Sequence, residues 1–293
     1  MARWEACGRA IVPGDDRVPR VMGVVNVTPD SFSDGGRQPT PGEAVGEARR
    51  LVEEGADLLD VGGESSRPGA VPVTRDEELR RVVPAVEAIA DAVRVPISVD
   101  TTKAEVARRA IEAGAIIVND ITALDADPEL TRVIAGSGAG VVLMHMRGVP
   151  GTMQVEPRYA EVVAEVYEYL ARRVEAAEAA GIPRVRVAVD PGIGFGKTFA
   201  HNLELLRNLG RFATLGCAVL VGTSRKGFLG TLTGRPVDRR ATASVVSSLA
   251  AVVEGAAIVR VHDVGAMSDA IKVWGALRGW GGYRPPCGPR QEP

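Results

Sequence analysis

A single (β/α)8 barrel of the TIM type, with long first and second βα loops, is the fold class this sequence predicts. Three observations carry that prediction. Short apolar runs rich in β-branched residues recur at Val21–Val25, Leu58–Val61, Pro96–Val99, Ala115–Val118, Val141–Met144, Val185–Val189, Ala218–Val221 and Ala257–Val261. Each run is continuous rather than alternating, as expected of parallel strands covered on both faces. Amphipathic segments separate them, so that strand and helix alternate with a repeat of roughly 35 residues. An open, doubly wound sheet is the competing arrangement of the same alternation.

The helical segments are legible from their spacing. Ala44, Ala48, Leu51 and Val52 recur at three- and four-residue steps, and so do Val163, Val166, Tyr167, Leu170 and Val174. The helix-to-strand connections are short, as at Glu54-Gly55-Ala56-Asp57, Ala113-Gly114 and Ala180-Gly181-Ile182-Pro183, where glycine suits a left-handed helix cap. The charge-rich stretches from Glu43 to Glu54 and from Arg75 to Arg81 read as solvated outer faces. Residues 1–20 form an N-terminal extension, 21–280 the barrel, and 281–293, which lack a core pattern, a loose tail.

Composition narrows the function classes. The chain has 293 residues, 45% hydrophobic and 25% charged, so it can build a large core without disulfide staples. Lys and Arg number 35 against 37 Asp and Glu, a net charge of −2, which gives no global signal for nucleic acid or an anionic membrane. Cys7, Cys217 and Cys287 are scattered, with no zinc spacing and no secreted framework. Neither a signal peptide nor an 18-residue apolar stretch is present, so the expected location is cytoplasmic. Asn26-Val27-Thr28 then reads as part of a working loop rather than a glycan site.

In barrels of this kind chemistry collects at the carboxyl ends of the strands. Strand one leads to Asn26 and the loop Thr28 to Gly36, and strand two to Gly62-Gly63-Glu64-Ser65-Ser66-Arg67-Pro68-Gly69. Later strands end at Asp100-Thr101-Thr102, Asn119-Asp120, His145, Asp190-Pro191-Gly192, Thr223-Ser224-Arg225-Lys226, and Arg260 with His262-Asp263. Singly, Asp100 or Asn119 could cap a helix, and Arg260 could form an ion pair at the barrel rim. Together, eight polar ends favour one shared pocket. Asp100, Asn119 and Asp190 suit a flat heterocycle with ring donors and acceptors. Arg260 and His262, one residue apart, face the same way and could hold an anion with Asn26 and Ser66.

Two motifs fail on inspection. Gly192 to Thr198 resembles a phosphate loop, but Pro191 stands where its first glycine is required. His145 and His262 lack a Gly-x-Ser-x-Gly partner, so no nucleophile–base pair is evident in the sequence. His201 reads as a surface helix residue, and Lys197 is open to two readings, site or loop surface.

These segments resemble the dihydropteroate synthase family. Met22 to Gly36 is similar to its first signature and Asp60 to Gly69 to its second, with Ser66 where the family normally carries Thr. Further agreement runs through Ser98 to Thr101, Asn119-Asp120, Leu143 to Met146, Asp190 to Thr198, Ser224 to Lys226 and Arg260 to Asp263, covering residues 20–278 in order.

The resemblance implies folate biosynthesis: 6-hydroxymethyl-7,8-dihydropterin diphosphate condenses with 4-aminobenzoate to give 7,8-dihydropteroate and pyrophosphate. It implies that Asp100, Asn119, Asp190 and Lys226 hold the pterin. Asn26, Ser66, Arg260 and His262 would bind the diphosphate, with Asn26 near Mg²⁺. Phe32, Pro68, Phe195, Ser224 and Lys226 would form the aminobenzoate pocket, partly on mobile loops and open to sulfonamides. Asp100, Asp190, Lys226, Arg260 and His262 would be the catalytic set. The partners implied are these small molecules and, as a homodimer, a second copy of the chain. A folate-dependent methyltransferase domain would lack the Ser224-Arg225-Lys226 site and the Arg260/His262 pair. A non-catalytic pterin-binding paralogue would show damaged motifs, and none is visible.

Overall fold

The computed structural model of the chain describes residues 1–14, 18–28, 40–67 and 69–280. Phe32, Pro68 and the tail segment 281–293 lie outside the described residues. The chain opens with a hairpin of β1 (Trp4–Ala6) and β2 (Arg9–Val12) and then enters the barrel. Barrel strands and helices follow as β3 (Arg20–Asn26), α1 (Pro41–Glu53), β4 (Leu58–Gly62), α2 (Arg75–Ala92), β5 (Ile97–Asp100), α3 (Ala104–Glu112), β6 (Ile117–Asp120) and α4 (Pro128–Ser137). The second half comprises β7 (Gly140–Met144), α5 (Val162–Ala179), β8 (Val187–Asp190), α6 (Phe199–Arg207), α7 (Gly210–Ala213), β9 (Ala218–Val221), α8 (Gly227–Thr233), α9 (Ala241–Val253), β10 (Ile258–Val261) and α10 (Val264–Arg278).

β3 to β10 pair in parallel in sequence order, and β10 closes on β3. The predicted barrel is therefore the observed one, and the open sheet is excluded. All eight apolar runs supply a barrel strand, with boundaries shifted by two residues at most. The run at Val185 begins in a 3-10 turn before β8.

Alternation along each strand divides the core in two. Val21, Val25, Leu59, Val61, Val99, Val118, Val141, Leu143, Val187, Val189, Val219, Val221, Val259 and Val261 pack outward with the helices. Met22, Leu58, Ile117, Val142, Ala188, Leu220 and Ile258 point inward and form a second cluster with Trp4, Ala6, Ile11 and Val12 of the hairpin. The hairpin Trp4–Val12, within the segment read as an extension, thus supplies the apolar floor of the barrel. Trp4 is fully buried and its indole N–H donates to the Arg186 carbonyl at 3.0 Å.

Helix entry follows local chemistry. Thr40 and Glu43 form a reciprocal capping box on α1, and Thr198 with His201 does the same on α6. Asp127 caps α4 through the Glu129 N–H, and Pro128 occupies its first turn. Gly55, in the α1-to-β4 turn, has φ +102°, as the predicted left-handed turn requires. One outer-face reading is corrected. Glu78 on α2 is fully buried rather than solvated, because Lys103 donates to it at 2.5 Å.

Candidate active site

Moving two residues up each strand from the apolar floor, the inward positions become polar: Asp60 after Leu58, Asn119 after Ile117, Asp190 after Ala188 and Arg260 after Ile258. Arg260 lies at the centre. Its Nε donates to Asp60 Oδ2 at 2.6 Å and a terminal nitrogen donates to Asp100 Oδ2 at 3.1 Å. The same Asp60 oxygen accepts from the Asn119 amide at 3.0 Å. Burial opposes the Arg260 charge, but Asp60 and Asp100 outweigh it and push the guanidinium further up. Arg260 is therefore ion-paired, and its partners are inside the mouth.

Neither Asp100 nor Asn119 caps a helix. Lys103 stands at the N-cap of α3 without a side-chain bond, and Asp127 accepts from the Ala104 N–H at 2.9 Å instead. Asp120 is the residue committed to the backbone, accepting from the N–H groups of Thr122 and Leu124 at 2.8 and 2.6 Å. Asp190 accepts the Gly192 N–H through Oδ1 at 2.7 Å, and burial pushes its carboxyl up to about 6. Lys226 is brought down to about 8 by burial and by the Arg260 charge. Its ammonium sits 3.9 Å from the centre of the Phe195 ring, a cation–π contact. Phe195 packs with Met144 and Met153, giving an apolar wall beside a cation.

His262 Nδ1 lies 3.1 Å from Ser224 Oγ, which also accepts the His262 backbone N–H at 3.1 Å. Burial and Arg260 drive His262 down to about 3, so in the free protein it offers hydrogen bonds rather than a charge. The structure thus joins Ser224 to the His262 side of the site. Arg225, held at φ +59°, grips Asp263 with two hydrogen bonds at 2.6 and 3.2 Å. Asn26 ends β3 opposite Gly62. Among the described residues, no hydrogen bond joins Ser66 to Arg260 or His262. The second loop is tethered at its base, where Glu64 accepts from the Val73 N–H at 3.2 Å and from Lys103. The expectation of a mobile loop did not include that tether.

Two residues that strand-end reading undervalued are built into the mouth. Asp60 escaped because it lies within an apolar run rather than after it; an ionisable residue inside such a run is itself a signal. The loop-surface reading of Lys197 is overturned. Lys197 is 2% exposed, donates to the carbonyls of Phe195 (2.9 Å) and His145 (3.2 Å), and lies 2.9 Å from His145 Nδ1. Burial lowers it well below the ordinary lysine range, and burial with Lys197 alongside takes His145 down to about 2.

Asp100 gives a pH test. Burial, then the Asp60 charge, pushes its carboxyl up to about 7 from an ordinary 3.8. Between those values the folded chain holds this proton more tightly than the unfolded one, so stability from Asp100 falls as pH rises through the window. Asp100→Asn removes that slope and leaves other groups in place. Its melting temperature relative to the parent is expected to rise between about pH 4 and about pH 8. An equal difference at both ends contradicts the assignment.

A closed parallel barrel with buried carboxylates, an amide and two cations at its strand ends is the setting of a pterin binding enzyme, and the profile of the family described as "Pterin binding enzyme" matches residues 22–262. A dihydropteroate synthase of Haemophilus influenzae is 45% identical over 262 residues, covering 89% of this chain and 95% of its own. A solved dihydropteroate synthase of Xanthomonas albilineans with 4-aminobenzoic acid superposes with TM-score 0.87 at 49% identity, covering 95% of this chain and 99% of that one. The Xanthomonas albilineans synthase in complex with 7,8-dihydropteroate gives TM-score 0.84 at 47% identity, over 94% and 98% of the two chains. The chain belongs to the pterin-binding enzymes and, among them, to the dihydropteroate synthases.

Proposed function

We propose that this chain condenses 6-hydroxymethyl-7,8-dihydropterin diphosphate with 4-aminobenzoate, giving 7,8-dihydropteroate and pyrophosphate. The observation that carries the reading is the Asp60–Arg260–Asp100 cluster, Asp60 fully buried and the other two half-buried, flanked by Asn119, Asp190 and Lys226 at the strand ends. Asp100, Asn119, Asp190 and Lys226 hold the pterin. Asn26, Ser66, Arg260 and His262 take the diphosphate. Phe195 and Lys226 line the aminobenzoate side, with Phe32, Pro68 and Ser224 assigned to it by resemblance alone.

The reaction needs no covalent intermediate on the protein. The bond from the pterin's exocyclic carbon to the diphosphate breaks, and its electron pair leaves with the diphosphate. The lone pair of the aromatic amine forms the new C–N bond, and that nitrogen releases a proton to solvent. Arg260 and the hydrogen bonds of His262 stabilise the departing anion, while Asp100 and Asp190 face the developing cation. Phe195 and its methionine neighbours keep water from that cation.

A magnesium ion fits as a companion of the substrate. Among the described residues no three His, Cys, Asp or Glu are grouped to hold a metal. Mg²⁺ keeps most of its waters and binds phosphate oxygens with few protein ligands, so the Asn26 side-chain oxygen suffices from the chain. When bound, the ion neutralises diphosphate charge. The assembly read from resemblance is a homodimer. Among the described residues no helix is long and apolar enough to cross a membrane.

Pyrophosphate release with both substrates present tests the reading, and absence of dihydropteroate would reject it. Asp190→Asn sharpens the test. Asp190 already gives one oxygen to the Gly192 N–H, so the variant keeps its oxygen there and turns its NH2 into the pocket. Pterin affinity is expected to fall by about 1–3 kcal/mol, with aminobenzoate KM nearly unchanged. Parent-like binding of 6-hydroxymethylpterin by calorimetry would remove Asp190 from the pocket. Sulfonamides, sharing the aniline and anionic end, are expected to compete with aminobenzoate and to bind more tightly once pyrophosphate and a pterin are present. Equal, tight binding to the empty protein would indicate a preformed pocket.

A further inference from the structure

Asp60 has one carboxylate oxygen bonded to two site residues on two other strands, Arg260 of β10 and Asn119 of β6, and its second oxygen is buried with no partner among the described residues. An ionised carboxylate only accepts hydrogen bonds. Both neighbours must therefore turn N–H groups toward it. A side-chain amide has one donating end and one accepting end, and Asp60 takes the donating end of Asn119. The accepting end of Asn119 is left for whatever enters the mouth. Arg260 is likewise held by its Nε edge, leaving its terminal nitrogens for Asp100 and for an anion.

Resting on the pterin reading of this pocket, we propose that Asp60 is a positioning residue that sets the hydrogen-bond polarity of the site, making Asn119 an acceptor for ring N–H groups and aligning Arg260 for the diphosphate. Asp60 acts through its two neighbours, below the substrate.

The test compares Asn119→Ala, Asn119→Asp, Asp60→Ala and Asp60→Asn with the parent. It reads 6-hydroxymethylpterin and pyrophosphate affinity by calorimetry, and KM for each substrate. Aspartate at 119 keeps an oxygen facing the pocket but sets acceptor against acceptor at Asp60. Asn119→Asp is therefore expected to bind pterin more weakly than Asn119→Ala, and about 10- to 100-fold more weakly than the parent. Asp60→Ala should weaken both pterin and pyrophosphate binding and leave aminobenzoate KM near the parent value. Asp60→Asn, whose amide oxygen can accept from both neighbours, should recover most of the pterin loss.

Asn119→Asp binding as well as the parent, or better than Asn119→Ala, overturns the proposal. So does Asp60→Ala with parent affinities. If Asp60→Ala does not fold, the two Asn119 variants decide alone, because both leave Asp60 in place. A parent protein that binds no pterin rejects the pocket reading itself, whereas a binding parent with indifferent variants rejects only the role of Asp60.

Discussion

Replacing Arg260 by alanine is expected to lower kcat/KM for the pterin diphosphate by about 10²- to 10³-fold, the usual cost of removing one preorganised donor from a developing anion. Stability should fall as well. Asp60 and Asp100, on the neighbouring strands β4 and β5, would stand side by side without their shared cation; breaking a fully buried pair costs about 3–5 kcal/mol, and this partly exposed one should lose less. The two losses separate experimentally. Calorimetry with pyrophosphate on the folded variant reads the clamp, and urea unfolding reads the pair. Arg260→Lys should restore charge but not both contacts, since an ammonium cannot reproduce the fork that reaches Asp60 and Asp100 together. Unchanged pyrophosphate affinity in the alanine variant would take Arg260 out of the clamp.

The largest expected stability loss comes from one methyl group. Gly192 follows Asp190 with φ +71°, and a Cβ there would lie 1.9 Å from the His145 carbonyl oxygen and 3.3 Å from Lys197 Nζ. Left-handed backbone alone costs a non-glycine residue about 1–2 kcal/mol. The clash adds displacement of a backbone carbonyl that Lys197 also uses. Gly192→Ala is therefore expected to lose more than about 3 kcal/mol of unfolding free energy. It should also lose pterin binding, because the Gly192 N–H orients Asp190. A variant within about 1 kcal/mol of the parent in urea would show that this turn yields easily.

Much of this architecture was readable before any coordinates, and the reason is physical. Strands buried on both faces must be apolar along their whole length, which makes Val141–Met144 or Ala218–Val221 conspicuous. The polar groups that follow them must converge, because a closed barrel gathers all its carboxyl ends at one rim. Asp100, Asn119, Asp190, Lys226, Arg260 and His262 were singled out that way, and the structure sets them at the strand ends or just beyond. What escaped were polar groups whose meaning depends on closure. Asp60 faces inward only because of the parity of β4 with its neighbours, and the pairing of Glu78 with Lys103 crosses two helices. Lys197 lies in a glycine-rich segment whose path back toward His145 no periodicity encodes. Residues that bond to other residues are harder to read from a sequence than residues that line a surface.

The hairpin at the start of the chain has a consequence for traffic. Trp4, Ile11 and Val12 pack with Met22, Leu58 and Ile258, so among the described residues the far end of the barrel is filled with apolar side chains and the polar end is the side left for entry. Whatever sits lowest has to arrive first and depart last. Asn119 and Asp190, assigned to the pterin, lie two residues above that floor on their strands, whereas Phe195 lies beyond the end of β8. An aminobenzoate that arrives early would then be an obstruction rather than a partner, and a sulfonamide that lingers in front of a bound pterin would act as a stopper. Queueing of this kind needs no signal between the sites; it follows from a barrel filled with apolar side chains at one end.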